Sequence, residues 1–162
     1  VEHLLAVTQT CIHLVDRYQP AYPDLKPPLN RNLVIAGAIL HDIGRVAEFE
    51  DELARQPSIE GKLAGHLILG RDMIRAAAAE VPELNPELVK LLEHIVLTHL
   101  SLPEWGSPRL PLIPECLIVH HADDLDAKLE MFARCLTRDQ NPGPFTDREP
   151  SLNRQLLKGR SV

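Results

Sequence analysis

An all-α bundle is what three features of this 162-residue sequence predict. Apolar residues recur at three- and four-residue spacing in several segments, prolines and N-cap residues punctuate those segments, and no run of useful length alternates in the manner of a strand. The length falls within the single-domain range of roughly 100 to 200 residues, enough to bury most of the surface that the unfolded chain exposes, so one core is expected.

The first helix is predicted over residues 2–18, where Leu4, Val7, Cys11, Leu14 and Tyr18 form an apolar stripe, and Pro20, Pro23, Pro27 and Pro28 stop it. A second runs from about Arg31 to His41, nearly all apolar after Asn32 and therefore central, with Gly44 expected as a left-handed stop just past it. A loop through Pro57 leads to a helix from about Ile59 to Glu80, capped by Ser58 and ended by Val81-Pro82. Pro86 suits the first turn of the next helix, which extends to about Leu100. A loop with Pro103, Gly106 and Pro108 follows, then a long helix from about Leu112 to Leu136. From Thr137 onward Pro, Gly and charge predict an irregular tail, packed on the bundle or partly mobile, so the expected division is a helical domain over 1–137 and an extension over 138–162.

Cys11, Cys116 and Cys135 lie far apart and make no C-x-x-C pair, which argues against a zinc ribbon or a disulfide framework and fits a reducing, cytoplasmic setting. No apolar run approaches the ~20 residues that cross a bilayer, and Val1 opens an amphipathic segment without a basic flank, so a soluble chain with no membrane partner is expected. The formal charge of -6 repels polyanions unless metal ions or a local basic patch reverse the field. A start at Val1, two residues before a candidate ligand, suggests a piece of something longer with an upstream domain.

Eight histidines carry the functional signal. His13 shares a helical face with Gln9, Asp16 and Arg17 and is expected in solvent, whereas His3 borders the apolar stripe, where alone it would as readily be a core-edge residue. His66 lies with Gly70, Met73 and Ala77 on a face too apolar for a solvent histidine, with Gly65 expected to permit close helix approach. His99 continues a predicted buried stripe of Leu88, Leu91, Leu92 and Ile95, while His94 faces outward with Glu87, Lys90 and Thr98. His120, one turn before Asp123, is placed to orient it by a hydrogen bond, and His121 faces elsewhere.

His41-Asp42 is the anchor. Neighbours on a helix point about 100° apart, but the expected break at Gly44 lets both side chains turn inward, and a carboxylate has two oxygens with which to bridge two ions. An isolated His-Asp pair is commonly a C-terminal cation followed by a turn residue; three more inward-facing histidines and an aspartate displace that explanation here. Asp123 shares a face with Cys116, Val119 and Ala127, whereas Asp124 turns toward Lys128. Asp126, one turn on, is placed to hold a metal-bound water or a substrate hydroxyl, with a surface salt bridge as an equal alternative. The candidate metal set is therefore His3, His41, Asp42, His66, His99 and Asp123, with Asp42, Arg45 and Asp126 as candidate catalytic residues. Mixed imidazole and carboxylate donors suit Mn²⁺, Fe²⁺, Co²⁺ or Ni²⁺ better than the oxygen-only shell of Mg²⁺.

The order His, His-Asp, Asp resembles the HD-domain metal-dependent phosphohydrolases. The stretches NRNLVIAGAILHDIGR, EGKLAGHLILG, HIVLTH, EWGSPRLP, HADDLDAK and PGPFTD are closer still to the HD domain of YhaM-type 3′-to-5′ exoribonucleases, and together they cover most of the chain. The resemblance implies that His3, His41, Asp42 and Asp123 hold one ion and that Asp42, His66 and His99 hold a second, with Mn²⁺ favoured. It implies hydrolysis of phosphodiester bonds in single-stranded RNA and an upstream oligonucleotide-binding barrel. A small HD nucleotidase and a metal-binding regulatory module without turnover are the alternatives, and a homo-oligomer is compatible with any of them. Two departures stand out: Leu100 occupies a position where members often carry a second histidine, and Arg45 replaces a usual lysine, keeping the charge in a fork that suits phosphate oxygens.

Overall fold

The computed structural model describes residues 2–51 and 56–159. It comprises two compact units, Val1–Asp123 and Asp124–Val162. The first is helical. Helices α1 (Glu2–Tyr18), α2 (Arg31–Leu40), α3 (Arg45–Glu48), α4 (Ile59–Ala79) and α5 (Pro86–Thr98) are joined there by the opening part of α6 (Pro114–Arg138), and a minor antiparallel pair, β1 (Phe49–Asp51) with β2 (Gln56–Pro57), separates α3 from α4. The all-α expectation therefore holds, with the addition of one short helix and two short strands in a region the sequence suggested was a loop.

Val7, Cys11 and Val15 of α1 pack with Leu33, Val34 and Ala38 of α2, Ile95 of α5, and Cys116, Ile118 and Val119 of α6. Val15 takes the place expected of Tyr18, which is 42% exposed and stacks on Tyr22 with ring centroids 6.2 Å apart. At the end of its helix the phenol can keep its hydroxyl in water at little cost. Helix α2 buries one face, Leu33, Val34, Gly37 and Ala38, rather than its whole circumference. Its start is fixed twice over: the Asn30 side chain accepts from Leu33 N at 3.1 Å, and Asn30 N donates to the buried Glu115 carboxylate at 2.8 Å.

Helix α5 corrects the predicted facing. Leu88 and Leu91 are partly exposed and Glu93, Ile95, Val96 and Thr98 are buried, a rotation of the stripe toward α4 and α6. Buried Glu93 is tolerated because Arg75 donates to both its oxygens, at 2.9 and 2.6 Å. Of the two leucines, Leu88 lines a cavity of about 560 Å³ with Leu33, Leu40 and Met73.

Gly44 is not the left-handed stop expected of it; its φ of -64° and ψ of -16° are right-handed and carry the chain straight into α3. Its lack of a side chain serves another purpose, since a Cβ there would stand 1.9 Å from the carbonyl oxygen of His66. Ser58 then locks α3 to α4, donating its hydroxyl to Ala47 O at 2.9 Å and accepting from Gly61 N at 2.8 Å. Within α4 the roles of glycine are also redistributed. Gly65 does not mediate close approach, because nothing lies within 4 Å of a Cβ built there; it supplies a break, at φ 71° and ψ 162°, a region open essentially to glycine alone.

In the second unit the residues after α6 fold back on themselves. Thr146, fully buried, donates its N–H to Leu156 O and accepts from Leu156 N, both at 2.9 Å, and Lys158 Nζ donates to Asp139 Oδ2 at 2.7 Å. Among the described residues no helix is long and apolar enough to cross a membrane.

Two outcomes are expected. Gly44→Ala should cost at least about 1–3 kcal/mol in chemical denaturation, since the atom it meets is backbone and cannot turn aside. Burial pushes the Cys11 thiol up to about 12, with the nearby Asp123 charge adding to the effect, and burial also raises Cys116. Both should resist alkylation in the native protein near about pH 8, where an ordinary thiol reacts; rapid labelling of Cys11 without denaturant would contradict its packing.

Candidate metal centre

His41 caps the C-terminal end of α2 and is fully buried. Its Nδ1 lies 2.8 Å from Ala38 O. A carbonyl only accepts, so Nδ1 carries the proton and the Nε2 lone pair of the neutral ring points the other way. His99 repeats the device at the end of α5, with Nδ1 donating to Val96 O at 2.8 Å. His66 follows the Gly65 break, and both its backbone N–H and its Nδ1 lie 3.3 Å from Glu48 Oε1. Three Nε2 atoms are thereby aimed inward.

They meet carboxylates. His41 Nε2 is 3.6 Å from Asp123 Oδ1, which also lies 3.1 Å from His3 Nε2. His66 and His99 face Asp42 Oδ1 through their Nε2 atoms, at 3.4 and 3.7 Å. Two triads result, His3–His41–Asp123 and Asp42–His66–His99, and within each the three donor atoms lie within 4.8 Å of one another. A lone pair directed at a carboxylate oxygen is repulsive unless a cation stands between them. His41 Nε2 and His66 Nε2 are buried with no hydrogen-bond partner, a costly condition that coordination relieves. Neutral imidazoles mixed with carboxylates form a donor set suited to a divalent transition metal, and the residues present fit such an ion.

The two aspartates differ electrostatically. Burial pushes the Asp42 carboxyl up, but Arg45, followed by His41, His99 and His66, outweighs it and holds the group below the usual carboxylate range. Asp123 lacks such an arginine, and burial together with the Asp42 charge leaves it raised despite His41 and His3. Burial pushes His99 down to about 3, so its ring stays neutral at ordinary pH, the form in which an imidazole can ligate a metal.

Every residue of the sequence-derived metal set falls in one triad or the other, with Asp42 grouped with His66 and His99. Arg45 donates to Asp42 Oδ1 at 3.3 Å and to Glu48 Oε2 at 2.7 Å, so it braces the site's carboxylates while its side chain stays 46% exposed. Asp124 turns away to Lys128 at 2.7 Å, an exposed pair in the second unit. Asp126, also in the second unit, belongs to neither triad. His13 bonds to Gln9 O on the surface, and half-buried His94 accepts from Leu112 N at 3.0 Å, an anchor for the loop rather than an outward-facing side chain.

His120 corrects an expectation: its Nδ1 donates to His99 O at 2.7 Å and not to Asp123, whose Oδ1 lies against His3 Nε2 at 3.1 Å instead. Glu48 escaped the sequence analysis altogether. Its signal was an R-x-x-E spacing from Arg45, visible only if the segment after the dyad is taken as another helical turn.

The family profile for the HD domain matches residues 1–128, most of the chain. The chain belongs to the HD-domain family. Divalent metals are what HD domains bind, and the triads could hold such an ion. The sequence is 42% identical over 136 residues to a 3′-5′ exoribonuclease YhaM of Bacillus licheniformis, a match covering 83% of this chain and 43% of that protein. A 3′-5′ exoribonuclease YhaM of Bacillus subtilis is 40% identical over 139 residues, covering 85% of this chain and 44% of the relative. The chain thus spans less than half the length of these curated relatives. No solved structure matches it.

Glu48→Gln should weaken metal uptake roughly 10- to 100-fold, the usual cost of losing a group that orients a ligand histidine. Calorimetric titration with Mn²⁺ reads this directly, and unchanged affinity would remove Glu48 from the site. Gly65→Ala should weaken uptake as well and lower stability by about 1–3 kcal/mol, because the backbone that presents His66 becomes strained.

Proposed function

We propose that this chain is the catalytic domain of a metal-dependent 3′-to-5′ exoribonuclease that hydrolyses phosphodiester bonds in single-stranded RNA. The observation that carries this is the paired triads, with buried histidine lone pairs turned on aspartate oxygens at 3.4–3.7 Å, in a chain whose relatives bear that activity in their names. One ion is assigned to His3, His41 and Asp123 and a second to Asp42, His66 and His99, with Asp42 as the candidate bridge; Mn²⁺ is the proposed metal. Such ions lower the pKa of water and offset charge on a phosphoryl oxygen when bound.

The chain's own groups supply the rest. Asp42, held ionised by Arg45, is a fixed negative ligand and not a proton donor. Arg45 is held by two carboxylates and remains partly in solvent, where it can turn donors toward non-bridging phosphate oxygens as charge builds. Asp126 is the proposed holder of the attacking water or of a substrate hydroxyl. With a net charge of -6 the chain attracts RNA poorly by itself, so an oligonucleotide-binding barrel outside this segment is proposed to deliver the strand.

The test is digestion of 5′-labelled single-stranded RNA in the presence of Mn²⁺. Progressive shortening from the 3′ end with release of nucleoside monophosphates is expected. Asp42→Asn should lower the rate by more than the roughly 100-fold that loss of an orienting group costs, while the surface variant His13→Ala should be silent. RNA left intact while mononucleotides lose phosphate would establish a nucleotidase instead, and a protein that takes up no transition metal would be a regulatory module.

A further inference from the structure

The EWGSPRLP stretch contributes no residue to either triad, yet it is built with unusual firmness beside one of them. Residues Pro103–Trp105 form a 3₁₀ turn closed by Gly106 in a left-handed conformation at φ 102°, with Gly106 N donating to Pro103 O at 2.9 Å. Ser107, 3% exposed, has its Oγ 3.1 Å from Leu97 O and 2.7 Å from Arg109 O, so one hydroxyl ties the turn both to α5 and to the chain beyond. Upstream, Ser101 holds a positive φ of 67°, rare for a residue with a side chain. Leu100 underpins the turn: its Cδ1 lies 3.7 Å from where a Cβ on Gly106 would be.

This scaffold presents Trp105. Its indole stacks on His120 with centroids 5.9 Å apart and planes within 29° of parallel, and about half its surface, 49%, is exposed. His120 in turn donates to the backbone carbonyl of His99, whose ring faces Asp42. A near-parallel pair of rings therefore begins one contact from the candidate ligand His99 and continues outward to a half-exposed tryptophan. A surface indole held this rigidly gains little for stability from the exposed half, and it has lost in advance the freedom that binding would otherwise cost. The planar partner that extends such a pair is a nucleobase, and stacking of this type tolerates any base.

We infer that Trp105 is a base-stacking subsite of the metal centre, taking the nucleobase of the RNA residue that flanks the scissile phosphate. This rests on the exoribonuclease reading and specifies how that site grips its substrate: the triads engage phosphate, Trp105 engages the base, and sequence preference is correspondingly weak.

Trp105 is the chain's single tryptophan, so indole emission, excited where tyrosine does not absorb, reports this position alone. The full chain is titrated with a short single-stranded oligoadenylate bearing phosphorothioate linkages, which resist cleavage. Saturable quenching is expected, and the same oligonucleotide with an abasic 3′ residue should bind about tenfold more weakly. In cleavage assays Trp105→Ala should raise KM about tenfold with kcat little changed, Trp105→Phe should retain most of the affinity, and the difference between intact and abasic substrate should vanish in Trp105→Ala. Metal uptake should be the same in all three proteins, which separates stacking from indirect damage through His120. Equal binding of intact and abasic oligonucleotides, or an unchanged KM in Trp105→Ala, overturns the inference. Cleavage of RNA with no change in emission would remove the stacking role and leave the exoribonuclease reading standing; base-dependent quenching without cleavage would do the reverse.

Discussion

Two buried imidazoles, His41 and His99, each donate Nδ1–H to the carbonyl three residues earlier in their own helix. The rest of the site depends on that local bond. It fixes the tautomer, and with it the direction of the lone pair, so that both rings present Nε2 to an aspartate oxygen. Because the bonded carbonyl belongs to the last turn of a helix, where such groups lack an intrahelical partner, the histidine satisfies a backbone acceptor and orients itself in one contact. Placing both histidines at helix C-termini is thus a solution to two problems at once.

The third inward histidine uses different means. His66 sits mid-helix, where its backbone N–H would ordinarily be engaged, and the Gly65 break releases that N–H to Glu48. Glu48 arrives because α3 follows α2 with no left-handed turn between them, and α3 can lie against α4 only because Gly44 has no Cβ. A chain of dependence runs from one glycine's missing side chain, through the carboxylate, to the aim of one ring. Arg45 closes it by holding Asp42 and Glu48 together.

Collecting acidic and imidazole groups in a nearly dry interior is unfavourable unless charge is balanced. Asp42 has Arg45 for that purpose and is held low, while Asp123 relies on histidines and is pushed up. The imbalance, together with the partnerless Nε2 atoms of His41 and His66, favours a positive charge among these groups, which a divalent ion would supply.

The sequence by itself determined the helical class, the approximate extent of each long helix and all six members of the two triads, because apolar spacing marks which face of a helix turns inward and a histidine on that face requires a partner. The resemblance to the HD family's ordered His, His-Asp, Asp pattern added a proposed division of the set between two ions. What the tertiary structure decided lies where residues distant in sequence meet. Glu48 is 18 positions from His66 and His120 is 21 from His99, and no helical periodicity links either pair. The right-handed Gly44, the rotated face of α5 and the ring pair ending in Trp105 belong to the same class. Each follows from which backbone happens to lie opposite, a constraint that local spacing does not encode.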